Sequence, residues 1–221
     1  MISVDGLSEI LDKIKPWIEI IAYPAAVAVI LPHFFLFDWF ALAATIITTI
    51  LHELGHLLFA NIIVRFMLGA SGLINILFSP YVFIGALAGT IGYTLPFALL
   101  ALYYLSKEDC LAAGAYLSLL SISINHMAWY CGGAINEKLP LPQLGQTGSY
   151  HDWYVMLSYL YILWAANYIA GIFQFIAYFT ATSALILGSA YLITKDTNRS
   201  IRIGAAGGII IAPIITLLRM I

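Results

Sequence analysis

Residues 45–64 read TIITTILHELGHLLFANIIV, and His52, Glu53 and His56 stand inside this largely aliphatic run. A helix crosses the roughly 30 Å hydrocarbon core of a bilayer in about twenty residues, so the run has the length of one span. An ionisable side chain at the middle of a span costs at least about 2.5 kcal/mol. Such a cluster within one turn of a span therefore marks a functional site.

The rest of the chain decides whether the run is a span. Of 221 residues, 62% are hydrophobic and 9% charged. A soluble domain has roughly a quarter of its residues charged, so a chain this poor in polar groups turns its surface to lipid. Around the quoted stretch the apolar window is 39–64, and others fall at about 17–36, 85–105, 111–131, 153–173, 175–194 and 203–220. The expected architecture is an all-α polytopic membrane protein with six to seven transmembrane helices. An amphipathic interfacial helix over 1–16 precedes a single transmembrane domain over 17–221. The net charge of −2 offers no basic face, which excludes nucleic acid as a partner. Cys110 and Cys131 flank one window, about 30 Å apart and beyond disulfide reach.

If all seven windows cross, Lys13, Lys15, Arg65, Lys138, Lys195, Arg199 and Arg202 share one side, leaving Lys107 and Arg219 on the other. The positive-inside rule makes the richer side cytoplasmic, with the amino terminus. His33, Glu19 and Asp38 read as interfacial. Residues 66–84 carry Gly69, Gly72 and Pro80 among apolar neighbours and suit a short membrane-associated β-hairpin or re-entrant segment. Residues 131–153 form the one long polar connection, of a length that usually carries function or disorder. Two G-x-x-x-G faces, Gly85 with Gly89 and Gly204 with Gly208, signal close helix packing.

On a helix, His52 and His56 lie one turn apart on the same face, so both imidazoles reach one ion. Glu53 stands beside them as a proton acceptor for a water whose pKa a zinc ion would lower to about 7. The alternative is that these histidines satisfy carbonyls on neighbouring helices. A catalytic zinc needs a third protein ligand and one open position. The polar candidates at a matching depth are Asp152 and His151, although Asp152 also suits a carboxylate at the start of a helix. Asn125 and His126 are candidate hydrogen-bond donors to a developing oxyanion, or else interhelical polar contacts.

These residues resemble the site-2 protease family of intramembrane zinc metalloproteases. The likeness rests on HELGHLLFA, an H-E-x-G-H core followed by Ala60, late in a span, with ALAGTIG opening the next window. It covers about residues 39–165, with 17–36 and 175–220 as accessory helices. Where that family carries an N-P-x-P-x-D-G signature this chain has GSYHDWYV, so Asp152 corresponds by order along the chain and by chemistry. The resemblance implies one Zn2+ per chain, held by His52, His56 and Asp152. It also implies Glu53 as base and, as substrate, a transmembrane segment of another protein in the bilayer. The expected location is the cell membrane of a prokaryote, with the active site toward the cytoplasm. The competing expectations are a catalytically silent, metal-containing scaffold or chaperone for transmembrane helices, and an ion or proton transporter.

Overall fold

A computed structural model describes residues 4–31, 46–48, 50–52, 54–55, 80–134 and 152–219. Every element among these residues is helical: α1 (Val4–Ile30), α2 (Pro80–Ser106), α3 (Cys110–Gly133), α4 (Asp152–Tyr159), one 3-10 turn (Leu163–Ala165), α5 (Ala166–Thr194) and α6 (Thr197–Leu218). Residues 46–48, 50–52 and 54–55, which include the start of HELGH, are helical too. Among the described residues, four stretches are long and apolar enough to cross a membrane: Leu87–Ser106, Cys110–Gly133, Leu163–Thr194 and Thr197–Leu218.

Three expectations change. The windows 153–173 and 175–194 are not two spans, because α5 runs unbroken through Phe173–Ile176. No glycine, proline or charge stands at that join. The chain breaks earlier instead, at Tyr161, whose φ of 58° ends the eight-residue α4. The proposed hairpin at 66–84 also loses its last residues. Pro80 opens α2, where its missing N–H costs nothing, while 66–79 lie outside the described residues. Finally, the separate helix at 1–16 continues through Pro16 as part of α1, which is not among the four candidate spans.

The described residues form two compact units. The first holds α1, α2 from Phe97, α3 to Ile122, α5 from Phe175, and α6. Ser200, Gly204, Gly208 and Ala212 make a buried small-residue stripe along α6, so its backbone lies close to α5. A Cβ on Gly208 would fall 2.0 Å from Ser183 Oγ. At one end of the unit Lys15 pairs with Asp109, and Thr197 Oγ1 donates to the Glu108 carbonyl at 3.3 Å. At the other end, Arg219 donates to the Ile30 carbonyl at 3.1 Å and lies over the Tyr178 ring. Lys107 therefore shares an end of the first unit with Lys15.

The hydrogen bond to Asp109 raises the Lys15 pKa above 10.5. A raised lysine pKa contributes stability that is present below the unfolded value and lost as pH rises through the folded one. Denaturation in detergent is expected to show a loss of about 1 kcal/mol, limited by partial exposure, as pH passes upward from 10.5. Lys15→Met should remove this component, and an unchanged alkaline profile in that variant would count against it.

The second unit holds the helical residues around His52, α2 to Pro96, α3 from Ser123, α4, and α5 to Gln174. Its core gathers Met127, Tyr130, Cys131, Trp153, Met156 and Leu157, with Leu51 and Leu87 packed against them. Cys131 is a free thiol near the end of α3, and Cys110 is another at its start.

Candidate metal centre

The helical turns around His52 are polar within and apolar without. Thr48, His52 and Gly55 are buried, whereas Ile46, Ile47, Ile50 and Leu54 are exposed. In water this pattern would be inverted; in lipid it is the arrangement that leaves hydrocarbon outside and the ionisable group among protein. His52 is 4% exposed.

Gly55, the glycine of HELGH, lets a second helix approach to backbone contact. A Cβ there would lie 2.8 Å from both the Ala88 carbonyl oxygen and Gly92 Cα, and 3.0 Å from the Gly89 carbonyl oxygen. From the other side, a Cβ on Gly92 would lie 2.2 Å from Gly55 Cα. The close pair is thus Gly55 with Gly92, and ALAGTIG supplies the surface against which the His52 helix is fixed.

Asp152 is the first residue of α4 and reaches across the unit to His52. Its Oδ2 lies 2.7 Å from His52 Nε2, although the residues are 100 apart in sequence. Trp153, 8% exposed and edge-on to Phe173, anchors the start of α4 in the core beside them. Tyr130 meets the His52 ring edge-on, with centroids 5.5 Å apart at 90°. His126 in turn stacks on Tyr130 at 6.0 Å. Being four residues apart on α3, His126 and Tyr130 share a face.

Asn125 takes a different direction. Its Oδ1 accepts from Gln174 Nε2 on α5 at 2.7 Å, which is an interhelical polar contact. The structure thus brings His52, Asp152 and, through Tyr130, His126 into one neighbourhood, and ties Asn125 to α5. Glu53, His56 and His151 lie outside the described residues. Sequence reasoning missed Tyr130 and Gln174. The four-residue step from His126 pointed to the first, whereas no local pattern marks a lone glutamine in an apolar helix.

Among the described residues no group of three His, Cys, Asp or Glu side chains comes together, and the His52–Asp152 pair offers two donors of the kinds that ligate zinc. An imidazole nitrogen and a carboxylate oxygen converge, both from groups that ligate it. Two such atoms on one tetrahedral ion at about 2.1 Å stand roughly 3.4 Å apart. The observed 2.7 Å is a direct hydrogen bond, so the pair would part by about 0.7 Å, a side-chain adjustment, to share an ion. Comparison of the chain with protein-family models, with curated proteins and with solved structures returns no match.

Proposed function

We propose that this chain is a zinc-dependent endopeptidase acting on transmembrane segments of other membrane proteins, in the manner of the site-2 proteases that HELGH resembles. The supporting observation is the approach of Asp152 to His52, which joins the motif to the carboxylate that the zinc reading requires. His52 and Asp152, with His56 one turn along the motif helix, would hold the ion. A bound zinc supplies Lewis acidity and a water that ionises near neutral pH. Glu53, next to His52, accepts the proton of the attacking water and passes it to the departing amine. His126, on the Tyr130 face, is the donor assigned to the developing oxyanion. Tyr130 and Trp153 exclude water from the apolar side and hold the two ligands' elements in register.

The orientation follows from the basic residues. Lys13, Lys15, Lys107, Lys195, Arg199 and Arg202 belong to the end marked by the Lys15–Asp109 and Thr197–Glu108 contacts, and the positive-inside rule makes that end cytoplasmic.

Metal analysis of the purified protein tests the reading. About one zinc per chain is expected, with affinity reduced in both His52→Ala and Asp152→Ala by more than the 10–100-fold that loss of an outer partner costs. Zinc binding unaltered in both variants would reject the site. Zinc bound normally without cleavage of any single-span substrate would favour a metal-holding scaffold.

A further inference from the structure

A cleft of about 220 Å³ lies within the first unit, among α2, α3, α5 and α6. Of its lining, Leu187, Thr180 and Gly204 are buried, Leu105 and Leu117 half-buried, and Ile201 and Ala205 exposed, so the cleft opens outward. Along α5 it reaches from Leu187 to Phe179, a little over two turns or about 12 Å of helix. The lining side chains are hydrocarbon apart from two hydroxyls. Thr180 Oγ1 donates to the Ile176 carbonyl at 2.8 Å, and Ser183 Oγ is buried with no hydrogen-bond partner.

Size and polarity narrow the occupant. A held water needs two to four polar partners, which one spare hydroxyl does not supply. A helix with its side chains is 10–12 Å across, so even 10 Å of its length takes on the order of 800 Å³, too much for this space. A water's share of the liquid is about 30 Å³ and a methylene takes similar room, so the cleft accommodates on the order of seven methylenes in a single chain. The charge at one end identifies what that chain carries. Leu105 is the penultimate residue of α2 and Ile201 lies in the first turns of α6, and the 3.3 Å bond from Thr197 to the Glu108 carbonyl brings these two helix ends together. Arg202 directly follows Ile201, and Arg199, three residues earlier, shares its face. Both arginines are exposed, and neither is ion-paired with a described residue. The nearest acid in sequence, Asp196, is occupied at the start of α6, where its Oδ1 accepts the Arg199 amide at 3.0 Å. An arginine lays its stem along apolar surface and extends its guanidinium to the headgroup level, where it takes phosphate with two hydrogen bonds.

We propose that this cleft holds one acyl chain of an anionic phospholipid whose phosphate is bound by Arg202, with Arg199 beside it. The chain fills the gap that the side chains of α2, α3, α5 and α6 leave open, and the two cations select the headgroup. The cleft shares no residue with the peptidase site and does not depend on that reading.

Native mass spectrometry of the full chain in a mild detergent tests this, with dioleoylphosphatidylglycerol titrated against dioleoylphosphatidylcholine. One phosphatidylglycerol per chain is expected, held more tightly than phosphatidylcholine by about fivefold for each arginine engaged. Arg199→Gln combined with Arg202→Gln, both at exposed positions, should bring the two lipids level. Ala205→Phe, which places a ring in the cleft from an exposed position, and replacement of the dioleoyl lipid by dibutyrylphosphatidylglycerol should each weaken binding by at least about tenfold, because the methylenes lose their place. If Ala205→Phe does not accumulate, the short-chain lipid carries that comparison on the parent protein. Equal affinity of the parent for the two dioleoyl lipids overturns the proposal, as does a phosphatidylglycerol preference retained in the double arginine variant. Undiminished binding by Ala205→Phe, or of the short-chain lipid, means a headgroup held at the surface alone and overturns it as well.

Discussion

Glu53→Gln is expected to leave zinc bound and to slow cleavage of a reconstituted single-span substrate by about 10²–10⁴-fold. Glutamine keeps the length and hydrogen-bonding reach of glutamate but cannot accept the proton that water must lose when it attacks. The glutamate is not one of the proposed ligands, so metal content separates its role from that of its neighbours. His52→Ala and Asp152→Ala are expected to lose metal and activity together, whereas Glu53→Gln should lose activity alone. A variant that cleaves at the parental rate would remove Glu53 as base, and one that loses its zinc would make Glu53 a ligand instead. The measurement therefore divides the roles of three residues that stand together in sequence or in space.

The helical class and the apolar windows at 85–105, 111–131 and 203–220 were legible in the sequence, because a length of hydrocarbon imposes a length of apolar chain. Asp152 was legible for a related reason. Few polar side chains enter the apolar stretches, so the partner of a buried histidine had to come from a short roster, even 100 residues away. What depends on tertiary choice was not legible. G-x-x-x-G spacing marked Gly204 with Gly208, which do lie buried against α5, and it marked Gly89, whose carbonyl oxygen a Cβ on Gly55 would meet at 3.0 Å, but it did not mark the backbone contact between Gly55 and Gly92. Any of several small residues permits close approach, and the packing of the whole unit selects the register. The apolar stretch across FQFI resembles two windows because hydropathy reports burial or lipid and carries no mark of continuity. Glu19 looked interfacial from its position near a window's edge, yet its Oε1 is buried.

The Gly55–Gly92 contact makes the second large expectation. Carbon atoms in contact sit about 3.5–4.0 Å apart, so a Cβ on Gly92 at 2.2 Å from Gly55 Cα must drive the backbones apart by at least about 1.3 Å. Neither side of this contact is a flexible side chain that could yield. Gly55 is less than one turn from His52 on the same helix, so the displacement passes to the imidazole while Asp152 stays anchored by Trp153. Misplacement of a reacting group by about 1 Å costs on the order of 100-fold in rate, and overpacking adds about 1–3 kcal/mol of destabilisation. Gly92→Ala is expected to reduce cleavage by about that factor, to weaken zinc binding, and to lower the melting temperature. Gly171→Ala on α5 provides the contrast, because a Cβ there meets nothing within 4 Å. It should preserve activity and stabilise the helix by up to about 1 kcal/mol. If Gly92→Ala retained full activity and metal affinity, the contact would be dispensable and the motif's glycine would have no part in setting the His52–Asp152 geometry. If both alanine variants lost activity equally, the loss would reflect a general intolerance of the fold, because only one of them closes on a neighbouring backbone.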